Sequence, residues 1–592
     1  MRRSLFLVTA SSLAFAACTQ MQPAPAPQPA PPTATAPSAA SVPPAPQSTM
    51  PAAMPVFSST NPFSSASTLQ YQAPPFDKIT DADYQPAIEE GMKQHLVEVD
   101  AIANGPQPAT FANTIEPLER SGALLTRAAK VFFALTGSNT NDTIQKIEAE
   151  ESPKLAAHQD AITLNPKLFA RIKAIYDTRA TSGLDAEQKF LVERYYRNFV
   201  RSGALLNDAD QTTLRALNQE ESTLSTKFRE KVLADTAASA VVVDTKAELD
   251  GLSEGDIAAA AQRAKDKKLD GKYVLTLQNT TRQPVLVSLK NRAVRQRVFE
   301  ASSMRGNHGG PNDTKAIVSR LAQLRAQRAQ LLGYATYAAY SLDDQMAKTP
   351  QNALKLLNDL GPASTAKARG EAAKIQKVID AEQGGFKVTA ADWEYYADKV
   401  RKAEFDLDQS QVKPYFELDR VLHDGVFYAA NQLYGLTFKE RKDIPVYQPD
   451  VRVFEVFDAD GKSMALFYGD YFSRPNKSGG AWMDSFVDQS GLMGTKPVVF
   501  NVTNFSKPAP GEPALLSSSD VTTMFHEFGH ALHGLFSNVK YPTLAGTAVP
   551  RDFVEMPSQF NEHWALEPRV LANYAKHYKS GEPMPQVLVD KI

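Results

Sequence analysis

One cysteine, Cys18, is all the thiol in 592 residues. No disulfide can form within the chain, so packing and hydrogen bonds must hold it together. Charge of neither sign is in excess: 64 basic residues stand against 66 acidic ones, a formal net of −2. Nothing in the chain forms the basic stripe with which proteins bind nucleic acid. No repeat of fixed period is found, which excludes a solenoid. The apolar run that opens the chain, Leu5 to Phe15, is too short to span a bilayer.

That short run is instead placed as in an export signal. Arg2 and Arg3 precede it, and Ala14-Phe15-Ala16-Ala17-Cys18 resembles a lipobox. Residues 1–17 therefore read as a signal peptide and Cys18 as a lipid-modified anchor, the only link to a membrane. Thr19 is not an acidic retention cue, so the expected location is periplasmic, on the outer membrane. Residues 18–60 are rich in Pro, Ala, Ser, Thr and Gln. Such a stretch cannot bury enough apolar surface to fold and reads as a disordered tether.

Residues 61–440 carry helical punctuation throughout. Asn312 and Asp313 are placed to cap a helix with Ile317, Leu321, Leu324 and Leu331 on one stripe and Gly333 at its end. Thr349-Pro350 starts another, with Ala353, Leu354, Leu357 and Leu360 on one stripe and Gly361-Pro362 as its stop. Both stripes read as core faces. Val241–Val243 and Tyr273–Leu277 read as short strands, and Gly306 to Pro311 as a loop with a solvated His308.

Residues 441–592 begin with a change of period from helical to two. Val451 to Phe457, a turn at Asp458 to Gly461, and Ser463 to Tyr468 read as a β-hairpin; Pro497 to Phe505 reads as a further strand. Gly479 to Trp482 lies between them as a loop. Arg474 and Lys477 nearby read as a basic loop that either attracts a carboxylate or is simply solvated.

The richest stretch is Val521 to Phe536, VTTMFHEFGHALHGLF, with Ser518, Ser519 and Asp520 before it as helix caps. Its His526-Glu527-Phe528-Gly529-His530 is an HExxH motif. Residues four apart share a helix face, so both imidazoles point at one ion. A catalytic zinc uses three protein ligands and an open position, and Glu527 beside the first ligand is the general base. HExxHxxGxxH would need Gly at 533 and His at 536, but His533 and Phe536 stand there. The third ligand then comes from Arg551 to Trp564, where Asp552 is placed to cap a helix. Glu555 and Glu562 share a face there, so spacing leaves both open; His533 is a weaker candidate. Tyr541 to Pro550 joins the two helices and reads as a mobile loop.

HEFGHALHGLFSNVKYPTLAGTAVPRDFVEMPSQFNEHWALE resembles the thimet oligopeptidase family of zinc metallopeptidases, most of all its bacterial peptidyl-dipeptidase branch. The amino-terminal stretch from about Ser67 resembles the same branch. The family spacing from HEFGH to the ligand within DFVE lands on Glu555. The resemblance implies one Zn2+ held by His526, His530 and Glu555, with Glu527 catalytic. It implies a mostly helical, two-lobed ellipsoid around a deep channel, with a small sheet beside the zinc helix. It implies oligopeptide substrates and release of dipeptides from their carboxyl ends. The alternatives are an endo-acting oligopeptidase of the same family, or an inactive peptide-binding lipoprotein. Family members continue past the point matching Ile592, so the catalytic region reads as truncated, with substrate and oxyanion residues expected beyond it.

Overall fold

The structure, a computed structural model, describes residues 57–405, 409–509 and 511–592. The signal, Cys18 and almost all of the tether lie outside the described residues. From Phe57 on, the chain packs against a core.

The fold is mostly α with a small sheet. The helices used below are α1 (Asp81–Ala103), α2 (Ala123–Ser138), α3 (Asp142–Thr163), α4 (Ala186–Arg201), α5 (Asp208–Ala238), α6 (Lys315–Leu331), α7 (Pro350–Ala381), α8 (Ala390–Phe405), α9 (Ser518–Leu535) and α10 (Glu555–Glu562). Strands β1 (Val241–Val243) and β2 (Tyr273–Leu275), both expected as strands though the second ends two residues early, pair antiparallel.

The second sheet has five strands: β3 (Thr437–Glu440), β4 (Arg452–Phe457), β5 (Ser463–Phe472), β6 (Trp482–Val487) and β7 (Val498–Phe505). Their order is β3-β4-β5-β7-β6, antiparallel except for the parallel pair β5–β7. The expected hairpin is β4–β5. β6 was not foreseen as a strand, and neither was β3; both lie at sheet edges. Side chains in a strand point alternately to its two faces. Phe467 on β5 and Val499 on β7 therefore join the core against α9, whereas Leu466, Tyr468, Val498 and Phe500 join the core against α1 and α2. Helices thus cover both faces, which is why β7 is buried along its whole length.

Two helical expectations are corrected. Thr349 does cap α7, accepting from the backbone N–H of Asn352. The helix then runs through Gly361 and Pro362 to Ala381. Proline there leaves the carbonyl of Asn358 without its N–H partner, but that turn is exposed, so water can take the carbonyl. The Leu354, Leu357 and Leu360 stripe is more than half exposed and is not a core face. In α6, Leu321 and Leu324 are buried as expected. Asp313 accepts from the Lys315 N–H at 2.9 Å, but Asn312 lies in a separate turn and the capping position is Thr314. His308 is not a free loop imidazole: its Nδ1 is 3.0 Å from the buried carboxylate of Asp235.

Candidate metal centre

The metal-site helix α9 starts at Ser518 because Ser517 and Asp520 form a reciprocal cap. The Asp520 N–H donates to Ser517 Oγ at 3.1 Å, and the Ser517 N–H donates to the Asp520 carboxylate at 2.9 Å. The capping side chain is thus one residue before the three expected. Phe525, Phe528 and Leu532 bury one side of α9 against the sheet, which turns His526 and His530 the other way.

Helix α10 meets that face at very close range. A Cβ on Gly529 would lie 2.7 Å from Ser558 Cα and 2.8 Å from Asn561 Cβ. The glycine inside the HExxH motif is what lets the two helices touch. Asn561 then ties them by donating from Nδ2 to the carbonyl of Phe525 at 2.7 Å, in a buried setting. Asp552 does not cap α10. It accepts from the N–H groups of Met346 and Ala347, both at 2.9 Å, and anchors the approach to Glu555.

This docking brings Glu555 to the histidines. Glu555 Oε2 is 3.2 Å from His526 Nε2 and 3.2 Å from His530 Nε2. One ligand atom from each of the three lies within 4.8 Å of the others. Glu562, the rival by spacing, goes to the opposite edge of His526: its Oε1 is 2.7 Å from Nδ1. His533 is outside the group. Ser558, fully buried, reaches Glu555 Oε2 at 3.1 Å.

Two observations fit a cation at this point. Glu555 reaches both imidazoles, Glu562 reaches that of His526, and Glu527 stands one residue away. Glu527 is buried, and its Oε2 has no hydrogen-bond partner among the described residues. Burial and then the Glu555 charge push its carboxyl up to about 8; a cation alongside reverses that preference and favours the carboxylate. Burial and then His526 hold His530 below the usual imidazole range, so it is neutral and able to ligate.

Residues 285–592 match peptidase family M3. The dipeptidyl carboxypeptidase of Escherichia coli K12 is 52% identical over 532 residues, which is 90% of this chain and 78% of that protein. The chain belongs to peptidase family M3. It is a metallopeptidase. Oligopeptidase A of Escherichia coli K12 is 33% identical over 531 residues, 88% of this chain and 78% of that protein. A probable thimet oligopeptidase of Arabidopsis thaliana is 28% identical over 432 residues, 72% of this chain and 59% of that protein.

Two expectations for loops around the site are revised. Arg474 and Lys477 do hold a carboxylate, but an internal one. Arg474 bonds both oxygens of Asp470, and Lys477 Nζ is 2.9 Å from Asp470 Oδ1. Lys477 is 0% exposed. The connector from Tyr541 to Pro550 is pinned. Lys540 and Tyr541 donate N–H to Glu187 on α4, Thr543 bonds Glu119 through N and Oγ1, and Arg194 on α4 holds the carbonyl of Ala548. Small residues in this stretch suggested mobility. What the sequence does not display is that distant side chains take up its backbone polar groups.

Proposed function

We propose that this member of family M3 is a zinc peptidyl-dipeptidase that releases dipeptides from the carboxyl ends of short peptides. The observation that carries the metal assignment is the meeting of His526 Nε2, His530 Nε2 and Glu555 Oε2 at 3.2 Å from imidazole to carboxylate. Two imidazoles and one carboxylate are a donor set suited to zinc with a position left open. The dipeptide specificity is supported by the 52% identity to the dipeptidyl carboxypeptidase over 90% of the chain.

Zinc, when bound by these residues, supplies a Lewis acid that polarises the scissile carbonyl and acidifies the attacking water. Glu527 takes the proton of that water on Oε2, which has no partner among the described residues, and later passes it to the leaving amine. Ser558 and Asn561 hold α10 and its carboxylate in register throughout. A two-lobed channel of the kind the family resemblance implies would restrict substrates to short unfolded peptides. Export with a lipid on Cys18, facing the periplasm from the outer membrane, is part of the same proposal and rests on Arg2, Arg3, the apolar run and the single cysteine.

Glu527→Gln tests the mechanism. Hydrolysis should fall about 10²- to 10⁴-fold, as for loss of a general base, while zinc stays bound. Undiminished turnover would remove Glu527 from its role. Products from a free and an amidated peptide test the specificity: a peptidyl-dipeptidase cuts only the free one. Cleavage of both would favour the internal cutting suggested by the oligopeptidase A likeness. Zinc without any turnover would favour a peptide-binding lipoprotein.

A further inference from the structure

We propose that Glu562 is a positioning residue for the metal centre, fixing both the plane and the tautomer of His526. This deepens the zinc reading above and rests on it. Two carboxylates of one helix reach opposite edges of the same imidazole. Glu555 Oε2 is 3.2 Å from Nε2, and Glu562 Oε1 is 2.7 Å from Nδ1. An ionised carboxylate only accepts, so the proton of a neutral His526 must sit on Nδ1. The Nε2 lone pair is then left facing Glu555 and His530 Nε2. Without Glu562, the ring gains a second tautomer whose Nε2 carries a proton and cannot ligate. The same contact stops the ring from turning about its Cβ bond. Because Glu555 and Glu562 belong to α10, the docking that delivers the ligand also delivers its orienter. Gly529 and the Asn561 bond to Phe525 fix that register.

The test is zinc affinity, measured on the metal-free full chain by competition with a chromophoric chelator, with the visible spectrum of the cobalt(II) form as a second readout. Glu562→Ala should bind zinc about 10- to 100-fold more weakly and shift the cobalt spectrum. Glu562→Gln keeps an acceptor oxygen without the charge and should show a smaller loss. Thermal unfolding of the metal-free proteins should coincide, which a merely structural role would not give. Equal zinc affinity in wild type and Glu562→Ala would overturn the role of Glu562 alone. A wild type that takes up no zinc would overturn the metal reading, and this role with it. Should Glu562→Ala fail to fold, Glu562→Met, which keeps the length and removes the acceptor, carries the comparison, and an affinity equal to wild type would overturn the proposal.

Discussion

Gly529 shows how much one missing Cβ decides. Its three nearest neighbours on α10 would sit 2.7, 2.8 and 3.0 Å from an added methyl, and two of the three are backbone atoms. Gly529→Ala should therefore cost about 1–3 kcal/mol through overpacking and push Glu555 away from the histidines. Urea unfolding and zinc content on the purified variant check both effects; full zinc content at wild-type stability would contradict the packing argument. The sequence displayed this glycine only as part of a motif. It also displayed His526, Glu527 and His530 fully, because their spacing is local. It left Glu555 and Glu562 level, since seven residues is two helical turns and both share a face. The family resemblance pointed to Glu555, and the docking of α10 shows the physical difference, one carboxylate to Nε2 and the other to Nδ1.

Among the elements, the loop from β5 to β6 is held from inside. Tyr447 donates to Asp470 at 2.6 Å, Arg474 and Lys477 pair with it, and Lys477 also donates to the carbonyl of Phe472 at 2.9 Å. Burial alone would raise the Asp470 carboxyl, but Arg474 and Lys477 outweigh it and hold it low; burial pulls the Lys477 ammonium down to about 8 against the attraction of Asp470. Removing one member of such a group leaves charge unpaired. Lys477→Met should destabilise by about 3–5 kcal/mol. A urea midpoint unchanged from wild type would show that Arg474 and Tyr447 suffice. A basic loop and a buried ion cluster look alike in sequence, because the partner's burial is a tertiary fact. The Leu354, Leu357 and Leu360 stripe fails in the opposite direction: periodicity marks an apolar face but not what covers it. The β4–β5 hairpin was legible because its alternation and turn are contiguous.

At the scale of the whole molecule, a second histidine pair far in sequence from α9 predicts a pH response in the helical part. His95 Nδ1 on α1 and His158 Nε2 on α3 are 3.0 Å apart, and His95 Nε2 is 3.2 Å from Ser121 Oγ. Burial, then the charge of His95, pushes His158 down to about 4; burial lowers His95 as well, against Glu98. Both groups bind fewer protons folded than unfolded. Stability is therefore full above about pH 6.5 and declines as pH falls toward about 4, by roughly 2–3 kcal/mol from His158. His158→Gln should flatten that decline in thermal unfolding scans between those limits; an unchanged slope would contradict the assignment. The mostly α class with its small sheet could be read from the chain, since caps and periods recur along it. The pinning of the Tyr541 to Pro550 connector by Glu119, Glu187 and Arg194 could not, because those partners are hundreds of residues away.

The central claim is that two imidazoles of α9 and one carboxylate of α10 hold a single zinc ion. Anomalous diffraction at the zinc edge from crystals of the purified protein tests it most directly. The account predicts one peak, within about 2.0–2.2 Å of His526 Nε2, His530 Nε2 and a Glu555 oxygen. No peak at that point after zinc loading, or a peak bonded to Glu562 in place of Glu555, would contradict it.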